Sequence, residues 1–63
     1  MALDLKTHRV RNGLTQDEAS KKIGVSVQTL ISWEKGKTFP NVAQVKDIEK
    51  AYNTTYDDII FLQ

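Results

Sequence analysis

Sixty-three residues with no cysteine specify one small domain, since a chain of this size buries only about 60% of its unfolded surface and has no disulfide or thiolate-bound metal to staple it. No apolar run approaches the ~18 residues that span a bilayer, and the N-terminus "MALDLKTHRV" lacks the basic-then-apolar pattern of a signal peptide, so a cytoplasmic location is expected and a membrane partner is not. The net charge of +1 hides an asymmetry: residues 1–37 carry seven basic against four acidic side chains, and residues 38–63 carry two against four. A net +3 in the N-terminal part suits a polyanionic partner, although a mixed surface of no special purpose explains the charge equally well.

Helical signals run through the chain, and no alternating strand pattern is visible. The first segment, 3–12, is expected to turn Leu5 and Val10 inward, with Asp4 in the first turn and Gly13 as its stop. Thr15-Gln16-Asp17-Glu18 is a capping box that opens a second helix. That helix runs to about Lys22 or Ile23, buries Ala19 and Ile23, and ends at Gly24. Ser26 is a good N-cap for a third helix reaching about Lys35, which Gly36 stops. Thr38-Phe39-Pro40 reads as an extended loop, because a residue before proline avoids the helical region. Asn41, with Gln44 three positions on, caps a fourth helix carrying Val42, Val45, Ile48 and Tyr52 at helical spacing. Thr55 is expected to cap a fifth, from Tyr56 to about Leu62. The reading is an all-α, compact five-helix bundle filling one domain, residues 1–63.

The second and third helices are joined only by Gly24, Val25 and their caps, a connection that suits a helix-turn-helix. Gly24 would make the turn and Val25 would plug into the core beneath it. On the third helix Leu30 and Trp33 mark a buried side. The opposite side, with Val27, Gln28, Ile31 and Ser32, is nearly uncharged, where a face needing only solubility would carry Glu and Lys. A tolerant neutral surface and a surface built to enter a groove both explain this.

These residues together carry a resemblance. Arg9, Gly13-Leu14-Thr15-Gln16, Gly24-Val25-Ser26, Leu30, Trp33-Glu34, Gly36-Lys37 and Pro40 make the chain similar to the Cro/repressor (lambda-repressor-like) family of helix-turn-helix DNA-binding domains of bacteria and phages, over roughly Leu5 to Ile60. It departs from the family at Ala19-Ser20, where a larger apolar residue and then alanine are usual, and at Glu49, where a small apolar residue is common. The resemblance implies a five-helix fold whose second and third helices read double-stranded DNA, usually as a dimer on two-fold operators.

The resemblance also implies roles for single residues. It places Ser26, Val27, Gln28 and Ser32 at base-facing positions, and helical geometry agrees for Gln28 and Ser32, which lie opposite Leu30 and Trp33. Gln16, at a helix N-terminus that offers free N–H groups, becomes a phosphate contact, as do Lys35 and Lys37. Arg9 is expected to pair with Glu34 and lock the first helix to the third. Lys6 and Arg11 are expected on a solvated face, His8 on the surface, and Trp33 in the core. Asp57 and Asp58 fit capping and not acid–base work. No catalytic constellation, cofactor, metal site or small-molecule ligand is expected. The expected function is that of a sequence-specific transcriptional regulator, a repressor of Cro type, acting on a DNA operator as a homodimer. The competing reading is a protein-interaction module, such as an antitoxin or complex subunit, built on the same fold.

Overall fold

A computed structural model describes residues 2–62. Among these, four α-helices follow one another: α1 (Leu5–Arg11), α2 (Gln16–Ile23), α3 (Val27–Glu34) and α4 (Val42–Tyr52). A short strand, β1 (Leu3–Asp4), precedes them. A single 3-10 turn (Tyr56–Asp58) and a second strand, β2 (Ile59–Ile60), follow them. The strands pair in parallel, Leu3 opposite Ile59 and Asp4 opposite Ile60, so the two ends of the chain are stitched together.

The expected fifth helix is therefore a turn and a strand. Four consecutive apolar residues cannot share one face of a helix, whereas a strand sends alternate side chains to opposite sides. Ile59 is buried and Ile60 exposed, Phe61 half-buried and Leu62 exposed. Thr55 makes no side-chain capping bond, and its hydroxyl instead faces the Asp58 carboxylate at 3.4 Å. The first helix begins two residues later than expected, because Asp4 serves as its N-cap and accepts from the Thr7 N–H at 2.8 Å. Thr7, through its hydroxyl and this N–H, holds the Asp4 carboxyl below the usual aspartate range.

Within α1 the inward face is Leu5, His8 and Arg9, three and four positions apart. Val10 lies five positions from Leu5, about 140° round the helix, and is 57% exposed instead of buried. His8 is buried and not on the surface. Its Nε2 lies 2.7 Å from the backbone oxygen of Asp58, tying α1 to the segment that feeds β2. Val42, at the first position of α4, overhangs the core and is exposed, while Ile48, Ala51 and Tyr52 further along are buried.

The remaining caps agree with the sequence. Thr15 and Glu18 form the reciprocal capping box of α2, and Asn41 and Gln44 that of α4. The Thr15 bonds lower the pKa of the Glu18 carboxyl. Gly24 closes α2 in the left-handed region at φ 94°, which a side chain would oppose, and Val25 packs against the core just after it. The core is formed by Leu5, Ala19, Ile23, Leu30, Trp33, Ile48, Ala51, Tyr52 and Ile59, drawing on every α-helix and on β2. No helix among the described residues is long and apolar enough to cross a membrane.

Candidate nucleic-acid interface

The position of α3 follows from what it buries. Leu30 and Trp33 are 0% and 4% exposed, so the helix can present only its opposite face. At ~100° per residue Gln28 points most directly away from that pair, with Ser32 and Ile31 to either side and Val27 in the first turn. Gln28 is exposed, and Val27, Ile31 and Ser32 are half-buried. None of the four is charged.

Ser26 is exposed at the tip of α3 and caps it. Its Oγ accepts from the Thr29 N–H at 3.2 Å and lies 2.9 Å from the Thr29 hydroxyl. The cap fills one lone pair of the Ser26 oxygen, and either hydroxyl of the Ser26–Thr29 pair can be the donor. Ser32 Oγ accepts a hydrogen bond of 2.8 Å from the hydroxyl of Thr38, in the loop beyond the helix. Sequence reasoning missed Thr38. Its only trace there is a second hydroxyl residue just past the glycine turn.

That turn is a Schellman motif: Gly36 N–H donates to Trp33 O at 3.1 Å and Lys37 N–H to Ser32 O at 3.0 Å. Gly36 adopts φ 75°, and a β-carbon there would come within 2.7 Å of the Leu62 carbonyl oxygen. Glycine is thus required twice over, by backbone conformation and by the chain end packed against it. The motif fixes the exit path from α3, on which Lys35 and Lys37 are both exposed.

Behind α3 lies a polar network. Arg9 Nε donates to Glu34 Oε2 at 2.7 Å and its Nη2 to Glu34 Oε1 at 3.3 Å, a two-pronged pair. The third guanidinium nitrogen, Nη1, donates to Leu14 O at 3.0 Å. The two side chains are 10% and 6% exposed, and the Glu34 bond raises the pKa of Arg9. This ion pair joins α1 to the end of α3, as expected. Gln16 joins the network, its Nε2 donating to Glu34 Oε1 at 3.2 Å. Its amide nitrogen is thereby turned toward Glu34, and its backbone N–H is among the first-turn donors of α2 that precede any intrahelical acceptor. Among the described residues the buried Tyr52 hydroxyl has no hydrogen-bond partner, and burial together with the Glu34 charge pushes the phenol up to about 12.

The structure thus turns Gln28 and Ser32 outward on α3, with Val27 in its first turn, Ser26 at its tip, Lys35 and Lys37 at its exit and Gln16 at the start of α2. A shallow apolar groove lined by Phe39, Pro40, Val45, Tyr56 and Phe61 opens elsewhere on the surface, with the Tyr56 and Phe61 rings 5.9 Å apart.

Comparison with known proteins accords with this geometry. A regulator of Methanocaldococcus jannaschii described as an uncharacterized HTH-type transcriptional regulator is 39% identical over 59 residues, covering 94% of this chain and 89% of its own. One of the same description from Methanothermobacter thermautotrophicus is 34% identical over 58 residues, covering 92% and 84%. The HTH-type transcriptional activator BcrR of Enterococcus faecalis is 32% identical over 62 residues, 95% of this chain but 30% of that longer protein. The helix-turn-helix family pattern matches residues 5–59, from the first residue of α1 to the first of β2. The chain belongs to the Cro/C1-type helix-turn-helix family.

Proposed function

We propose that this chain is a sequence-specific double-stranded DNA-binding transcriptional regulator that lays α3 in the major groove. The observation that carries the reading is the uncharged outward face of α3, flanked by lysines and backed by a helix that the core and an ion pair hold in place. Major-groove edges present donors, acceptors and thymine methyls, and a carboxylate at that face would be repelled by phosphate. Gln28 suits a bidentate contact to adenine, Ser26 and Ser32 offer hydroxyls, and Val27 offers an apolar contact to a methyl. Gln16, Lys35 and Lys37 grip phosphates. The likeness to proteins named as transcriptional regulators supports the same reading. Repression of Cro type fits, since occupying an operator excludes polymerase without calling on any further surface. The working location is the cytoplasm, on DNA.

The regulator works as a two-fold dimer on its operator. Its largest dimension is 26 Å, less than the ~34 Å that separates half-sites on one face of the duplex, and each copy has one α3. The exposed apolar side chains Phe39, Val42, Tyr56, Ile60 and Leu62 supply more apolar surface than one copy covers. Selecting bound sequences from a random duplex pool tests the function, with a pseudo-palindromic consensus expected. Sedimentation of the complex on that consensus should give two copies per duplex. A consensus without two-fold character, bound by a single copy, contradicts the dimer. Enrichment of no sequence at all contradicts the reading.

A further inference from the structure

Ser32 meets any ligand with part of its hydrogen-bonding capacity already taken. A serine hydroxyl has one proton and two lone pairs. Thr38 Oγ1 donates to Ser32 Oγ at 2.8 Å, which fills one lone pair. Accepting that bond polarises the Ser32 O–H and strengthens it as a donor. Thr38 is held where it can do this. The bonds from Gly36 and Lys37 back to Trp33 and Ser32 fold the chain over the last turn of α3, and Leu62 backs Gly36. Two residues beyond Thr38, Pro40 keeps Phe39 extended. Having given its proton to Ser32, the Thr38 hydroxyl has only lone pairs left and cannot also donate to a phosphate.

We propose that Thr38 is a specificity-determining residue: by filling one lone pair of Ser32 and strengthening its O–H as a donor, it biases Ser32 toward a base acceptor and so against cytosine. Guanine offers O6 and N7 in the major groove, adenine N7 and thymine O4, whereas cytosine offers only its N4 donor. This rests on the groove reading above and assigns a role to a residue that touches no base itself.

The test measures affinity for the selected duplex and for each of its single-base variants. The proteins compared are the unaltered chain, Ser32→Ala, Thr38→Val, Thr38→Ser and, as a reference, Gln28→Ala. Valine keeps the shape of threonine and removes the hydroxyl, and serine restores it. Ser32→Ala should abolish, at one base pair per half-site, a discrimination against cytosine of about 3- to 10-fold, the range of one neutral hydrogen bond. Thr38→Val should lose most of that discrimination at the same pair and leave the other positions unchanged, while Thr38→Ser should retain it. Ser32→Ala combined with Thr38→Val, measured alongside, should be no worse there than Ser32→Ala alone. The inference is overturned if Thr38→Val keeps the discrimination, if it weakens every sequence by a common factor, or if Ser32→Ala alters no position. In those cases a base preference that Gln28→Ala still relaxes leaves the groove reading standing. A profile flat for every variant removes both.

Discussion

Arg9→Ala is expected to lower the melting temperature by roughly 15 °C or more. The substitution removes three donated hydrogen bonds and leaves the Glu34 carboxylate, 6% exposed, without its counter-charge. Breaking one side of a buried pair costs about 3–5 kcal/mol, because the surviving charge is desolvated and unmatched. In a domain of 60–100 residues each kcal/mol moves the midpoint by about 4–8 °C. The loss is comparable to the whole stability of a small domain, at roughly 0.05–0.15 kcal/mol per residue. Glu34→Ala should cost less than Arg9→Ala, because the stranded guanidinium still reaches Leu14 O while Gln16 merely loses an acceptor. Replacing both partners with apolar residues, Arg9→Met with Glu34→Leu, should recover much of the loss, since no charge is then left unmatched. Thermal unfolding of the four proteins checks this. A double variant as unstable as the sum of the singles contradicts it.

DNA affinity should fall about 100-fold between 50 and 200 mM salt. Lys35 and Lys37 sit exposed at the exit of α3, so the proposed two-fold complex would neutralise four phosphates through them. With a slope near −0.9 per phosphate, log affinity falls with log salt at about −3.6. Lys37→Ala removes two of these contacts and should halve the slope, leaving only about a 10-fold loss over the same range. It should also weaken matched and mismatched duplexes alike, since phosphate carries no base identity. Affinity that is flat with salt contradicts the charge assignment, as does a Lys37→Ala effect confined to one base pair.

The parts of the fold legible in the sequence were those written in short-range chemistry. The capping boxes at Thr15 and Asn41, the serine cap at position 26 and the stops at Gly13, Gly24 and Gly36 each depend on residues within a few positions of one another. The parts misread depend on distant partners. Ile59 and Ile60 form a strand only because β1 is there to pair with them, and β1 is two residues long, too short for any alternation to show. His8 was legible in principle, since it lies three residues from buried Leu5, but its partner is the Asp58 backbone fifty residues away. The candidate site divides the same way. The outward direction of Gln28 follows from the helical period, while its base-facing role and the Arg9–Glu34 pair come from family resemblance. The bond from Thr38 to Ser32 needs the turn at Gly36 folded back over α3, which no local pattern encodes.

On the proposed reading, α3 reads bases through the face opposite Leu30 and Trp33. Gln28 projects most directly from that face, it is exposed, and among the described residues its amide makes no hydrogen bond. The direct measurement is the affinity of Gln28→Ala for the selected duplex and for every single-base variant of it, at fixed salt. A good bidentate pair contributes about 1–3 kcal/mol of discrimination, so the variant should lose that much for each half-site of the selected duplex. The loss should appear as relaxed preference at one base pair per half-site, with the salt slope unchanged and the melting temperature held. A base-preference profile identical to that of the unaltered chain would contradict the placing of α3 in the groove.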